Sequence, residues 1–177
     1  DLTSVYQAFC AVFPKGNGAS NGLALANARA RLRMTALYAI AADNESLVVG
    51  TGNKVEDFGV GFYTKYGDGG VDLSPIADLT KTEVFELGAF LEVPSEIQSA
   101  APTDGLWGDD RTDEMQIGAT YPELEWAMEQ ANGETEGMTE REKEVLAIYS
   151  RLHRANQHKM KPIPVCHIPR NIRSSVA

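Results

Sequence analysis

At 177 residues and 43% hydrophobic content, the chain is long enough to bury most of the surface its unfolded form exposes, within the range of one ordinary domain. The formal charge of -9 argues against a nucleic-acid partner, because phosphate backbones are held by clustered Lys and Arg and repelled by a net acidic field. No apolar run approaches the roughly 20 residues that span a bilayer, and Cys10 and Cys166 make neither a zinc knuckle nor a disulfide framework, so a cytoplasmic protein without a membrane segment is expected.

Charge is unevenly spread along the chain. Thirteen of the 25 acids lie between Asp104 and Glu144, whereas Val145 to Ala177 holds six Lys/Arg, three His and no acid. The tail is therefore a candidate anion contact, although a solvated basic tail balancing an acidic segment has the same composition.

In chain order, Val5 to Phe13 is a short apolar segment, and Pro14 to Gly22 has the glycine-rich composition of a loop. Leu23 to Ala42 contains no Pro or Gly and predicts a long helix with a broad apolar surface. Ser46-Leu47-Val48-Val49-Gly50 has the look of a buried parallel strand closed by glycine. Five glycines between Gly59 and Gly70, interleaved with Phe62, Tyr63 and Tyr66, predict a structured loop rather than a helix. Thr80 and Glu83 form a capping box before a helix from Lys81 to Leu91, which Pro94 stops. A short helix is expected over Asp113 to Gly118 and another over Pro122 to Ala131, ended by Asn132 to Gly137. A second capping box, Thr139 with Glu142, opens a helix through about Asn156. The remainder, with Pro162, Pro164 and Pro169, reads as extended. A helix followed by a buried strand implies an α/β fold, in which ligands bind beyond the carboxyl ends of parallel strands.

The residues after Val49 therefore occupy the most informative position. In Gly50-Thr51-Gly52-Asn53-Lys54-Val55-Glu56-Asp57, small residues admit a ligand to the backbone, Thr51 offers a hydroxyl, and Glu56 offers a hard oxygen of the kind magnesium prefers. An ordinary capped turn accounts for the same residues. In Lys65-Tyr66-Gly67-Asp68-Gly69-Gly70-Val71-Asp72, three glycines within four positions cost folding entropy. Asp68 and Asp72 can accept from ribose hydroxyls, and Phe62 or Tyr63 can stack on a heterocycle. A Gly-Asp-Gly turn is the plainer alternative. Lys81 falls in the first turn of its helix, where a cation opposes the macrodipole unless an anion binds there. On the long helix, Asn27 and Arg31 share one face and Arg29 and Arg33 another, so only one pair is expected to reach a given pocket. His158 and Lys159, expected just past the last helix, add cationic donors. Pro102-Thr103-Asp104-Gly105 has the composition of a turn.

Taken together, the blocks Asn27-Ala28-Arg29-Ala30-Arg31-Leu32-Arg33-Met34, Gly50-Thr51, Glu56, Phe62-Tyr63-Thr64-Lys65-Tyr66-Gly67-Asp68-Gly69-Gly70, Lys81, Pro102-Thr103, Asp113-Glu114 and His158-Lys159 stand in the order found in NAD synthetases, and the chain resembles that family from about Asn27 to Lys159. The resemblance implies an ATP pyrophosphatase of the adenine-nucleotide α-hydrolase type, with a doubly wound parallel sheet and flanking helices, working as a homodimer. It implies that residues 1–177 form one domain, the carboxy-terminal part of the family's domain. By position, Thr51, Lys81 and Thr103 look like ATP contacts, Glu56 looks like a magnesium ligand, and Lys81 and Glu56 look like the catalytic pair. Asn27, Arg31, Lys65, Asp68, Asp72, His158 and Lys159 look like contacts to deamido-NAD, some reaching across the dimer. The implied reaction is ATP-dependent amidation of deamido-NAD by ammonia through an acyl-adenylate, with Mg2+ and without a covalent enzyme nucleophile.

Two departures from the family accompany this resemblance. Its Ser-Gly-Gly-x-Asp-Ser phosphate loop is absent from these residues, so the amino-terminal strands are expected to be missing. The spacing from Glu56 to Lys65 is one residue longer than in many members. An inactive nucleotide-binding or dimerisation fragment, or part of a glutamine-dependent NAD synthetase, are the alternatives. A different amide-forming ATP pyrophosphatase is disfavoured by the Lys65 to Asp72 block.

Overall fold

The computed structural model describes residues 1–12, 20–107, 109, 111–131, 133 and 136–173. Most of the expected loop from Pro14 to Gly22 and part of the break at Asn132 to Gly137 fall outside them. Helix α1 spans Thr3–Val12 and α2 spans Ser20–Asp43. A π-helical turn covers Val55–Val60. It is followed by α3 (Lys81–Phe90), α4 (Ser95–Gln98), α5 (Asp113–Ile117), α6 (Tyr121–Gln130), α7 (Glu140–Met160) and α8 (Arg170–Arg173).

The helix starts obey their local chemistry. Thr80 accepts from the Glu83 N–H while Glu83 reaches back to the Thr80 N–H, and Thr139 and Glu142 repeat the arrangement. A third capping box, Thr120 with Glu123, opens α6 one residue before Pro122. Each box satisfies amide donors that a helix start leaves without partners.

The expected strand is present only in outline. Val49 and Leu73 form a single parallel bridge, flanked by Gly50 N–H to Leu73 O at 2.7 Å and Asp72 N–H to Val48 O at 2.9 Å. Among the described residues no longer strand forms, so the expected doubly wound sheet is not seen, and this isolated bridge stands where its strand was expected. Parallel strands persist when both edges are paired and both faces covered. Here Leu47 and Val49 remain 64% and 54% exposed.

The core gathers elsewhere. Val55 and Val60 of the π-helical turn pack with Ile117 of α5, with Tyr121, Leu124 and Ala127 of α6, and with Val145 and Tyr149 of α7. Gly59 and Gly61, read from sequence as loop residues, lie in and at the end of the turn. Gly61 caps it with φ of 65°, the left-handed region that favours glycine. The last carbonyls of the turn are satisfied from α7: His153 Nδ1 lies 2.8 Å from Gly59 O, Asn156 donates to Val60 O at 2.9 Å, and Lys159 donates to Gly61 O at 2.7 Å.

Candidate functional site

Asn53 shapes the segment after the bridge. It is 2% exposed, and its side-chain oxygen accepts from the Val55 and Glu56 amides at 3.0 and 3.1 Å. The π-helical turn thus begins at a fixed point and directs two consecutive carboxylates to different places. Glu56 Oε1 accepts from Lys81 Nζ at 2.8 Å and from the Tyr121 hydroxyl at 2.6 Å. The Lys81 ammonium also lies 4.8 Å from the centre of the Tyr121 ring. Both charged side chains are largely withdrawn from water, at 19% and 15% exposure. The Tyr121 hydroxyl stands 3.2 Å from Asp113 Oδ2 as well, while Asp113 Oδ1 is buried without a partner among the described residues. Burial raises the Asp113 carboxyl, against the Tyr121 hydrogen bond that lowers it. Burial, with Glu56 and Asp113 beside it, raises the Tyr121 phenol and keeps it a donor. Four side chains from the π turn, α3, α5 and α6 therefore form one cation-carboxylate cluster.

Asp57, the next residue, lines a void of about 190 Å³ with Tyr63, Asp68, Ser74 and Lys159. Its carboxyl is pushed up to about 6, first by burial and then by Glu56 and Asp68. The Tyr63 phenol is pushed up to about 12 by burial and by the same Asp57 and Asp68. Gly50, Tyr63, Asp68, Val71 and Lys159 also line a larger cavity of about 670 Å³. Its helical wall is the stripe Leu23, Ala26, Asn27, Ala30, Arg33 and Met34 of α2, at the three- and four-residue spacing of one helix face. This corrects the expectation that only one polar pair reaches a pocket: Asn27 comes from one pair and Arg33 from the other. The cavity follows the Ala26–Ala30 seam, and Arg33 borders it three residues on.

The sequence-derived residues distribute over these places. Asn27, Thr51, Asp68 and Lys159 line the large cavity, which neither Lys81 nor Thr103 lines. Asn27 accepts from the Thr64 hydroxyl at 2.7 Å, and Asp68 accepts from the Thr64 amide at 3.0 Å, so both also hold the Thr64–Asp68 turn. Lys159 donates to Gly61 O and Tyr63 O at 2.7 Å, and burial lowers its ammonium while Asp68 opposes the shift. Arg31, Lys65 and His158 form an exposed chain: Arg31 donates to Lys65 O at 3.2 Å, and Lys65 donates to His158 O. Asp72 supports the bridge, accepting from Val48 N–H at 2.8 Å and from Tyr38 at 3.1 Å. Thr103 accepts from Gly105 N–H at 3.3 Å, and the adjacent Pro102 O accepts from Asp113 N–H at 3.0 Å, linking this turn to the Lys81 cluster.

One placement is corrected. His158 and Lys159 lie in the last turn of α7 rather than beyond it, because nothing between Asn156 and Pro162 stops a helix and basic residues suit its carboxyl end. Sequence reasoning passed over Tyr121, Asp57, Asn53, Asn156 and Trp107. Tyr121 stood beside Pro122 at a helix start, and Asp57 beside Glu56, but neither position by itself reports which pocket the side chain enters.

A NAD synthase family profile matches residues 1–163. The chain belongs to the NAD synthase family. It is 45% identical over 142 residues to the NH(3)-dependent NAD(+) synthetase of Carboxydothermus hydrogenoformans, a match covering 80% of this chain and 54% of that protein. It is 40% identical over 177 residues to the protein of the same name from Syntrophomonas wolfei, covering 98% and 67%. Among solved structures, NMN synthetase from Francisella tularensis superposes with a TM-score of 0.75 at 34% identity, covering 96% of this chain and 64% of that one. The NH3-dependent NAD synthetase from Campylobacter jejuni, at 23% identity and a TM-score of 0.69, shares the fold. This NAD synthase-family chain thus spans about half the length of the Carboxydothermus relative. No helix among the described residues is long and apolar enough to cross a membrane.

Proposed function

We propose that this chain carries the carboxy-terminal part of an ammonia-dependent NAD synthetase, which amidates deamido-NAD at the expense of ATP and releases AMP and pyrophosphate. The observation that carries the reading is the withdrawn pair of Lys81 and Glu56, oriented by Tyr121 and joined through the π-helical turn to a cavity of nucleotide size. A lysine in the first turn of α3, where the Glu83 and Thr82 amides are already taken by Thr80 and Glu125, offers its ammonium as the anion contact, which suits a polyphosphate rather than a neutral ligand.

In this reading the substrate carboxylate attacks the α-phosphorus of ATP and the bond to pyrophosphate breaks. Lys81 steadies the charge on the departing pyrophosphate. Ammonia then adds to the acyl carbon, loses a proton, and AMP leaves. Thr51 and Thr103 supply hydroxyls to ATP. Asn27, Arg31, Lys65, Asp68, Asp72, His158 and Lys159 serve the dinucleotide, with a second copy of the chain completing the site. Glu56 and the orphaned Asp113 oxygen are hard donors of the kind magnesium prefers, but no third carboxylate or His joins them among the described residues and Lys81 competes for Glu56, so ligand oxygens would have to supply most of its shell. Bound there, magnesium would neutralise triphosphate charge.

A second reading concerns the acid substrate. The likeness to the NMN synthetase of Francisella tularensis favours testing the mononucleotide acid beside the dinucleotide. Incubating the purified protein with ATP, ammonium and either acid decides between them. The reading expects AMP and pyrophosphate with one acid, and ADP with phosphate would refute it. Binding of both nucleotides without turnover would instead favour a non-catalytic nucleotide-binding segment.

A further inference from the structure

We propose that Trp107 is a specificity-determining residue of the large cavity, its indole forming the wall on which a planar heteroaromatic ring of a bound nucleotide stacks. This rests on the reading of that cavity as a nucleotide site. Trp107 lies between α4 and α5, outside every motif singled out from the sequence, and lines the cavity with Asp104, Leu106 and Gln116.

The ring is fixed from several directions. Its Nε1–H donates to Asp104 Oδ2 at 3.2 Å, an oxygen that also accepts from Gln116 Nε2 at 3.2 Å, and Asp104 Oδ1 accepts from Leu106 N–H at 2.9 Å. The Arg111 guanidinium sits 4.5 Å from the ring centre and is itself gripped by Asp109 at 2.7 and 2.5 Å. At the opposite end, a Cβ on Gly22 would lie 3.3 Å from indole Cζ3, so a side chain in this first turn of α2 would press on the ring. Arg29 donates to Leu106 O at 3.0 Å, tying the segment to α2.

A buried indole N–H needs an acceptor; the Asp104 carboxylate supplies it, and with Arg111 on its face the ring is held in one orientation. Trp126, half-buried as well, packs against the main core. Trp107 faces a different surrounding, a cavity wall that also carries Phe62 and Tyr63. A rigid aromatic face binds a flat ring at little further entropic cost, and orientation set before binding improves affinity. The adenine of ATP and the pyridine of the acid substrate share the required flat π-face.

A Trp126→Phe protein leaves Trp107 as the tryptophan reporter. Its emission is followed on titration with ATP, nicotinate mononucleotide, deamido-NAD and inorganic pyrophosphate, with calorimetry measuring binding independently. Saturable quenching by a ring-bearing ligand, none by pyrophosphate, and a roughly tenfold weaker Kd in Trp107→Ala are expected, since stacking a base contributes about 1–3 kcal/mol. Trp107→Phe should recover most of the affinity. Quenching by ATP assigns the adenine, and quenching by nicotinate mononucleotide assigns the pyridine. Calorimetric binding that leaves emission and the Trp107→Ala Kd unchanged overturns the proposal while sparing the nucleotide reading. Absence of binding by every nucleotide overturns both.

Discussion

Replacing Asp57 by Asn removes a charge that the fold holds at a cost. The Asp57 carboxyl is pushed from 3.8 up to about 6, by burial first and then by Glu56 and Asp68. An acid with a raised folded pKa binds its proton more tightly in the folded state. Stability is therefore greatest below the unfolded pKa and falls as pH rises through the window between the two values, the full cost remaining above about 6. At about 1.4 kcal/mol per pKa unit, a sealed group would cost about 3 kcal/mol. Asp57 is partly open to the small void, so solvent screening reduces this to about 1–2 kcal/mol. Asn keeps the shape and drops the charge. Urea unfolding across the pH range should show Asp57→Asn more stable than the parent by that amount near neutral pH, with the two converging below the ordinary Asp range. A difference independent of pH, or a less stable variant at neutral pH, would refute the reasoning.

Lys81→Met strands the Glu56 carboxylate with only Tyr121 as donor, and should cost about 2 kcal/mol by denaturant unfolding, below the 3–5 kcal/mol of a fully buried pair. A double variant with Glu56→Gln should recover part of the loss, and a strictly additive result would contradict the coupling. Gly61→Ala forces a side chain into the left-handed region and against the Asn156 Cβ, so a loss of about 2 kcal/mol or more is expected. An unchanged thermal midpoint would be inconsistent with that contact. Glu123 is held down to about 2, chiefly by Arg141. Its contribution is present above the usual Glu range and lost as pH falls toward that value, so Arg141→Ala should move the acid unfolding limb to higher pH. A superimposable acid limb would discount the pair.

Much of the helical fold was legible because helix starts are written locally. Thr80 with Glu83, and Thr139 with Glu142, announce themselves within four residues, and Pro94 marks a stop. The strand expected at Ser46–Gly50 shrinks to one bridge, since pairing depends on what lies alongside and among the described residues only Asp72 and Leu73 pair with it. The π-helical turn was hidden by its glycines. Gly59 lies inside it and Gly61 ends it, so composition suggested a loop. The site divides along the same line. Glu56 and Lys81, which the structure brings together, were singled out through motif resemblance, whereas Tyr121, which orients Glu56 across 65 residues of sequence, has no local signature. Trp107 escaped notice because its significance lies in Asp104, Arg111 and Gly22 fixing the ring, a relation that no spacing rule expresses.

The most direct test of the central claim follows the oxygen atoms. With deamido-NAD carrying heavy oxygen in its nicotinate carboxylate, amidation through an acyl-adenylate deposits one labelled oxygen in AMP. Label in inorganic phosphate, or none in AMP, would contradict an acid activated beside Lys81 and Glu56.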